Sequence, residues 1–320
     1  MVKFGVQIEN HAGYSYEAVS RVAAEAERLG FDGLFICDHL VGRTEELAKQ
    51  TCLDTWVTLG ALASATRRIR LGTLVSAVGF RYPSILAKMA ATLDAASQGR
   101  LQFAIGAGWY QPEYAAYGVP FPSTKKRMDQ LREAIQIIRE MWTQNKPTFN
   151  GVHYNIKEAS CNPKPVQPSI WVGGTGEKRL LRVVAELADG WNASYITAEE
   201  YDQKLKTLQS YCNAAGRDIG KIERSYFASG LTAKTDAEFR ETFARYYAPF
   251  KREDETIDDF AQRARTSSRT FAGTVDEVVE KVAMFQRLGV TYVIFYFPDK
   301  DQLGLMRKFA EHVLPQFRDV

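Results

Sequence analysis

The chain has 320 residues, of which 45% are hydrophobic and 25% charged, and its formal net charge is +3. Its longest basic run is Lys125-Lys126-Arg127, which we interpret as the solvated start of a helix. This composition is typical of a soluble globular protein and argues against a nucleic-acid-binding one. The four cysteines are scattered and lack C-x-x-C spacing, which predicts a reduced, cytoplasmic protein. The N-terminus (MVKFGVQIEN) lacks a signal-peptide core, and no apolar stretch approaches the ~20 residues of a membrane span, so we expect no membrane partner.

Short apolar runs alternate with longer amphipathic ones along the chain, a pattern that predicts parallel strands connected by helices. In chain order, the eight predicted strands cover residues 4–8, 33–37, 69–76, 101–105, 170–172, 190–194, 222–228 and 292–297. The predicted helices cover residues 18–29, 55–66, 85–96, 128–138, 180–187, 200–214, 278–285 and 302–313. Eight strand–helix units favour a closed (β/α)8 TIM barrel forming a single domain over residues 1–320, with an open doubly wound sheet as the alternative.

Three segments do not follow this period. Residues 109–124 are rich in Tyr, Trp and Pro, residues 232–270 are polar and predict two short helices, and residues 144–168 contain Asn150-Gly151, a hairpin signal between Phe149 and Val152. Insertions that follow barrel strands lie at the C-terminal mouth, where the active sites of barrels are found. We therefore expect these segments to crowd the mouth, and residues 40–54 and 232–270 to shape a substrate pocket.

The stretch WVGGTGEKR (171–179) follows the fifth predicted strand and leads into a helix. Backbone N–H groups at a helix start, together with the helix dipole, bind anions such as phosphate. The window matches neither a Walker loop nor G-x-G-x-x-G, because Lys178 is followed by Arg179. From spacing alone, a phosphate loop and an ordinary tight turn are both open; a barrel favours phosphate, since barrels often bind it on late loops.

Polar residues follow the second strand as Asp38-His39. Histidine is the side chain most readily poised for proton transfer near neutral pH, although a lone histidine is more often structural. The other histidines are His11, His153 and His312, and the chain has no His-x-His pair. We therefore expect no metal site of the kind used by barrel hydrolases.

Small residues followed by aromatic ones leave the third and fourth strands, in TLVSAVGFRYP (73–83) and in GAGWY (106–110). Flat side chains beside small ones suit a planar ligand, and ordinary loop packing is the competing interpretation.

Taken together, the chain resembles the bacterial-luciferase-like superfamily, and within it the branch of deazaflavin (coenzyme F420)-dependent oxidoreductases. The resemblance covers nearly the whole chain. It is carried by LGFDGLFICDHL (29–40), RIRLGTLVSAVGFRYPSILAKMAATLDAASQGR (68–100), GAGWYQPEYAAYGVPFP (106–122), WVGGTGEKRLLRVVAELADGWN (171–192) and AGTVDEVVEKVAMFQRLGVTYVIFYFPD (272–299). The set in this order is specific, whereas any one segment alone is weak.

This resemblance implies an insertion-bearing barrel, often a homodimer, that holds a flavin-type ring in its mouth and acts on a small-molecule substrate. It implies a non-proline cis peptide at Leu74–Val75 and places His39 as the catalytic group that handles the proton. The cofactor-binding positions that it implies are Asp38, Leu74, Val75, Ser76, Gly108, Trp109, Gly173, Gly174, Thr175, Gly176, Lys178 and Arg179.

The resemblance leaves open which cofactor the chain binds and which substrate it acts on. FMN with dioxygen, as in luciferase-like monooxygenases, is the alternative to F420, because both cofactors carry a tricyclic ring and a phosphate. A cofactor-binding protein without turnover is a second alternative. Sugar-phosphate dehydrogenases of this branch carry an acidic base on the loop after strand four, where this chain has Trp109-Tyr110-Gln111 with Glu113 displaced. We therefore expect sugar-phosphate oxidation to be disfavoured.

Overall fold

The structure, a computed structural model, describes residues 2–299 and 302–318. Its strands are β1 (Lys3–Ile8), β2 (Gly33–Ile36), β3 (Arg70–Thr73), β4 (Ser76–Ala77), β5 (Leu101–Gly106), β6 (Phe149–Asn150), β7 (Asn155–Ile156), β8 (Ile170–Gly173), β9 (Gly190–Ser194), β10 (Glu223–Ala233), β11 (Phe271–Thr274) and β12 (Tyr292–Tyr296). Its helices are α1 (Tyr16–Leu29), α2 (Glu45–Ala48), α3 (Thr55–Ala65), α4 (Pro83–Ala96), α5 (Gln111–Ala116), α6 (Thr124–Thr143), α7 (Leu180–Leu187), α8 (Ala198–Ala214), α9 (Asp236–Tyr247), α10 (Ile257–Thr266), α11 (Val275–Arg287) and α12 (Leu303–His312). None of the helices within the described residues combines the length and hydrophobicity needed to cross a membrane.

Eight parallel strands close on themselves in the ring order β1-β2-β3-β5-β8-β9-β10-β12, with β12 returning to β1. The register places Val6 of β1 beside Leu34 of β2 on one side and Phe295 of β12 on the other. Helices connect successive strands, so the predicted TIM barrel is confirmed and the open doubly wound sheet is excluded.

Two layers of apolar side chains stabilise this architecture. Strand residues that face outward pack under the helices; α1 contributes Val19, Val22 and Ala26 to that layer from one face. Inside the barrel, a second cluster fills the axis with residues from six strand regions: Phe35, Leu74, Ala104, Trp171, Phe227, Tyr292 and Ile294. The barrel is therefore filled below its mouth, and the large cavity at the mouth lies above this plug.

The predicted third strand is interrupted in the structure. β3 ends at Thr73, the Leu74–Val75 peptide bond is cis as the family resemblance implied, and β4 resumes at Ser76 on the edge of β5. The predicted strand over residues 69–76 is therefore two short strands separated by this bond.

β10 differs most from its prediction. It runs for 11 residues, past the barrel rim, and its extension pairs with β11, which the sequence analysis did not predict. The segment between them forms α9 and α10, the two helices predicted within residues 232–270.

The predicted hairpin near Asn150-Gly151 exists, but its turn is wider than the two residues expected. Phe149 pairs with Ile156 and Asn150 with Asn155, so residues 151–154 form the turn. The carboxylate of Glu133 accepts hydrogen bonds from the backbone N–H groups of Val152, His153 and Tyr154, which stabilises the wider turn.

Residues 144–168 follow a helix rather than a strand, and they run beside α4 and α6. Asp94 of α4 accepts from the Val166 N–H at 2.7 Å, and Lys164 donates to the Met141 carbonyl of α6 at 2.7 Å. The expectation that this segment crowds the mouth was wrong, because no residue of it lines the mouth among those described.

Candidate active site

A cavity of about 870 Å³ opens where the barrel strands end, a size in the range of small-molecule sites. Its wall is formed by residues at or just beyond those ends, including Gln7 of β1, Gly106 of β5, Ser229 of β10 and Tyr296 of β12. The active-site position expected for a barrel is therefore an open, mostly apolar chamber.

Asp38 lies just beyond β2 and is almost fully buried in the cavity wall. The Arg81 guanidinium donates to Asp38 Oδ2 at 2.6 Å and to Asp54 Oδ2 at 3.1 Å. Burial raises the pKa of Asp38 to about 6, and the positive charge of Arg81 opposes that rise. Oδ1 of Asp38 has no hydrogen-bond partner in the described structure, so a ligand donor in the cavity would satisfy it.

His39 follows Asp38, and its imidazole also lines the cavity. Nδ1 lies 3.1 Å from Oε2 of Glu113, a carboxyl group that is 1% exposed. The other oxygen of Glu113 accepts the N–H groups of Leu40 and Val41. Because a carboxylate can only accept, the network assigns the Nδ1 proton to the bond with Glu113 and leaves Nε2 as the atom for chemistry in the cavity.

Substituting Glu113 with glutamine tests this positioning role. The glutamine oxygen can still accept the backbone N–H groups of residues 40 and 41, but its NH2 group cannot accept the Nδ1 proton of His39. We expect kcat to fall about 10- to 100-fold, part of what general acid–base groups contribute, while KM and the melting temperature change little. Glu253→Gln, at an exposed site, is the matched control; equal losses in kcat and stability would instead indicate a structural carboxylate.

A second histidine, His11, meets His39 edge-on with ring centres 4.8 Å apart. Arg43 donates from Nε to His11 Nε2 at 3.1 Å, and His11 Nδ1 lies 3.5 Å from the Cys37 sulfur. Burial, with the charges of His39 and Arg43, lowers the pKa of His11 to about 3. His11 is therefore a neutral ring with Nδ1 protonated, and its 3.5 Å contact with Glu9 is not an ion pair.

Glu9, His11 and Cys37 bring potential metal-ligand atoms within 4.8 Å of one another. The hydrogen bonds just described already use the two ring nitrogens of His11, and the guanidinium of Arg43 places a positive charge next to the cluster. Burial also raises the pKa of the Cys37 thiol well above its usual range. These three effects favour a hydrogen-bonded network of side chains at this cluster over the binding of a metal cation.

The floor of the chamber is formed around Val75, the residue after the cis peptide. A Cβ atom on Gly106 would lie 2.7 Å from Cγ2 of Val75, and one on Gly173 would lie 2.5 Å from its Cγ1. Any larger residue at either position would collide with Val75. Glycine at these two strand ends therefore lets the Val75 side chain sit between β5 and β8.

The loop after β5 is fixed against the loop after β2. Tyr110 donates its hydroxyl to the Arg43 carbonyl at 3.0 Å, and Tyr117 donates to the Leu40 carbonyl at 2.9 Å. Gly108 has φ of 74°, and a Cβ there would meet the Tyr114 hydroxyl at 2.0 Å. Trp109 remains 61% exposed at the rim, where its ring lies 6.0 Å from that of His39.

The glycine loop after β8 is anchored to β9. Gly174 donates its N–H to the Asn192 carbonyl at 3.0 Å, and its own carbonyl accepts from Trp191 Nε1 at 2.9 Å. Its φ of 137° and the contact that a Cβ would make with Leu180 explain why glycine occupies it. Both the φ angle and the Leu180 contact account for this glycine without any ligand, so the roles of Gly173 and Gly174 in phosphate binding stay predictions.

The structure brings most of the predicted site residues to the cavity wall: Asp38, His39, Leu74, Val75, Gly108, Trp109, Gly173 and Gly174. Four predicted residues do not line the cavity and lie on the loop that leads outward to α7: Thr175, Gly176, Lys178 and Arg179. Ser76 is fully buried behind the wall, where its hydroxyl accepts from Trp56 Nε1 at 3.1 Å. Sequence reasoning missed the roles of Glu9, His11, Arg81 and Glu113; the first two follow β1 directly, so their position at a strand end was a usable signal.

Comparison with known proteins gives this chain a family. A family model described as luciferase-like monooxygenase matches residues 1–292. Among curated relatives, the F420-dependent glucose-6-phosphate dehydrogenase of Microbacterium testaceum (strain StLB037) is 29% identical over 314 residues, which cover 92% of this chain and 91% of that protein.

Two solved structures illustrate the likeness in fold. The monooxygenase RslO1 from Streptomyces bottropensis superposes with a TM-score of 0.83 at 23% identity, over 98% of this chain and 99% of that one. An F420-dependent secondary alcohol dehydrogenase, in complex with an F420–acetone adduct, superposes with a TM-score of 0.82 at 22% identity, over 99% of both chains.

Proposed function

The chain belongs to the luciferase-like monooxygenase family, and from this membership we propose that it is an oxidoreductase that binds coenzyme F420 in its barrel mouth and acts on a small organic molecule. The curated relatives named as F420-dependent dehydrogenases, which match along nearly the whole chain, support F420 over FMN. The observation that carries the proposal is the His39–Glu113 pair, which faces an open chamber whose floor is formed around Val75.

The chamber has features that fit a deazaflavin ring. Val75 presents an aliphatic side chain at the floor, and Gly106 and Gly173, which have no side chains, lie directly against it. Oδ1 of Asp38 and Oε1 of Gln7 are buried acceptors in lining residues without partners in the described structure. The pyrimidinedione edge of a deazaflavin offers an N–H donor to acceptors of this kind, so these residues would hold the ring.

In this proposal the cofactor phosphate lies on the loop after β8. Thr175 and Gly176 would supply backbone N–H groups, and α7 would direct the positive end of its dipole to the same place. Lys178 and Arg179, both exposed on this loop, would add positive charge. Leu74, Gly108 and Trp109 would complete the wall around the ring.

Bound F420 supplies a hydride when reduced, or accepts one when oxidised. The residues of the chain orient the reactants and manage the proton. His39 would hold or accept the proton of a substrate oxygen at Nε2, while Glu113 keeps Nδ1 engaged and the ring oriented. His11, neutral and fixed by Arg43, adds no second charge beside it.

Titration of the purified protein with F420 and with FMN, in separate calorimetric experiments, tests the cofactor. We expect F420 to bind at least about tenfold more tightly than FMN, with one site per chain. A matched variant, Lys178→Ala/Arg179→Ala, should weaken F420 binding, whereas Lys125→Ala/Lys126→Ala on the exposed start of α6 should not. Tight FMN binding with no F420 binding would establish the monooxygenase alternative instead.

The proposal extends to the working state of the protein, which we take to be a cytoplasmic homodimer. Val57 of α3 and Ile85 of α4 are apolar side chains that are 74% and 58% exposed, and they are the surface positions that we assign to a dimer contact. Light scattering on the wild type and on Val57→Lys measures this: a dimer that becomes a monomer supports the assignment, and a monomeric wild type contradicts it.

A further inference from the structure

The outer part of the cavity is bordered by aromatic side chains from four different parts of the chain. We name them the aromatic collar; its members are Trp109, Tyr195, Tyr247, Phe250, Phe260 and Tyr296. Phe250 is 70% exposed, and Tyr247 lies within 6.4 Å of the rings of both Phe250 and Phe260. Aromatic side chains that converge on one opening, three of them exposed and three half-buried, indicate a surface that binds flat, apolar groups.

Charges within the cavity oppose anions. Its lining includes the carboxyl groups of Glu9, Asp38 and Glu113. Among the lining residues that the structure describes, Arg43 is the one lysine or arginine, and its guanidinium donates to His11 and lies 5.7 Å from the Trp109 ring centre. His11 adds no positive charge, because its pKa is lowered to about 3.

Arg81 does not alter this balance. Its guanidinium contacts the lining residue Asp38, and both Asp38 and Asp54 already engage it. A phosphorylated substrate carries about two negative charges at neutral pH and needs several free cationic or N–H donors. Asp38 and Arg81 neutralise each other, so the lining gives the phosphate at most one free cation, Arg43, against the two further carboxyl groups of Glu9 and Glu113.

We infer that the substrate of this site is an uncharged molecule with a flat aromatic or polycyclic body and a carbonyl or alcohol group, rather than a sugar phosphate. This inference rests on the proposed function and names its substrate class. The aromatic collar covers the flat body, and the oxygen of the reacting group reaches Nε2 of His39. The relatives named for glucose 6-phosphate thus share the barrel with this chain and differ from it in the molecule accepted.

Calorimetric titration of the protein saturated with oxidised F420 tests the inference with three probes. They are 2-acetonaphthone, its carboxylate analogue 6-acetyl-2-naphthoate, and glucose 6-phosphate. We expect the ketone to bind at least about tenfold more tightly than either anion, since like charges in a partly desolvated site repel. A carboxylate or sugar phosphate that binds as tightly as the ketone, or a ketone that does not bind, overturns the substrate class.

Variants locate the binding surface. Phe250→Ala should weaken ketone binding about three- to tenfold, the size expected for one aromatic contact, and should leave F420 binding unchanged. Val152→Ala, at a site that is 88% exposed on the hairpin turn, is the control that should change neither. Phe250→Lys should narrow the preference for the ketone over its carboxylate analogue. Unchanged ketone affinity in both Phe250 variants would overturn the role of the aromatic collar.

The same titrations separate two kinds of failure. If the protein binds F420 but prefers the anions, the inferred substrate class is wrong and the proposed function is still supported. If the protein fails to bind F420, the proposed function is wrong, and the substrate class that rests on it is wrong as well, whatever the affinity for the ketone.

Discussion

Replacing His39 with alanine is expected to lower kcat about 100-fold or more while the affinity for F420 stays within about twofold of the wild type. The imidazole is the group whose free nitrogen faces the cavity, and its other nitrogen is committed to Glu113. Without it, no described side chain at this position offers a proton donor or acceptor, and water must serve instead. The measurement is the change in absorbance of the oxidised cofactor in single-turnover mixing with an acceptor that the wild type reduces.

A matched control separates loss of chemistry from loss of structure. His153→Ala removes a histidine from the turn between β6 and β7, far from the lining residues, and should leave kcat unchanged. The double variant His39→Ala/Glu113→Gln should be scarcely slower than His39→Ala alone, because Glu113 acts through the ring. A wild-type rate in His39→Ala would favour the interpretation as a cofactor-binding protein without turnover.

Arg81→Met is expected to destabilise the folded protein by about 3 kcal/mol at about pH 8. It leaves the buried Asp38 carboxylate without its counter-charge, in a position that is 4% exposed. Chemical denaturation monitored by tryptophan fluorescence measures the loss. The exposed pair Lys206–Asp202 provides the contrast, since Lys206→Met should cost less than about 1 kcal/mol.

The pH dependence of this loss follows from the direction of the Asp38 shift. The pKa of Asp38 is about 6 in the folded protein, above its usual value of 3.8, so ionisation costs folding free energy as the pH rises between these values. Without Arg81 the folded pKa rises further, and the cost continues to grow above pH 6. The variant should therefore approach wild-type stability near about pH 5 and fall away from it as the solution becomes alkaline.

A second variant isolates the carboxylate. In an Asp38→Asn background no charge remains to be buried, so adding Arg81→Met should cost about 1 kcal/mol or less at every pH. A loss that is independent of pH, or equally large in the Asp38→Asn background, would assign the stabilising role of Arg81 to packing or to its bond with Asp54.

The barrel could be predicted from the sequence because each strand is a short apolar run next to an amphipathic helix. Each of the eight barrel strands overlaps the run that predicted it, although β3 ends early and β10 continues beyond its run. The helix α1 ends at Gly30, whose φ of 85° gives the left-handed conformation that caps helices. β11 escaped prediction because its four residues, FAGT, include two small ones and no alternating pattern. Its existence depends on the extension of β10, a tertiary contact that has no local signal.

The site could be predicted in part. Asp38 and His39 were identified by their place after a strand, and the same rule applied to β1 would have identified Glu9 and His11. Glu113 was expected to be displaced from the acidic position on the loop after strand four, where this chain has Trp109-Tyr110-Gln111. In the structure, α5 begins at Gln111 and its first turn directs residue 113 back towards His39. Spacing along a loop does not reveal such a reversal, although Pro112 near the start of a helix was a local clue.

Half of the aromatic collar that we associate with the substrate comes from one segment outside the eight-stranded ring. Tyr247, Phe250 and Phe260 belong to the segment between β10 and β11, which is carried on the overhang of β10 beyond the rim. The parts that we assign to the cofactor lie instead at the strand ends and on the loops that directly follow β2, β5 and β8. The segment between β10 and β11 is thus separate from the residues that we assign to the cofactor, and exchanging it between relatives offers a route to new substrates without changing the cofactor site.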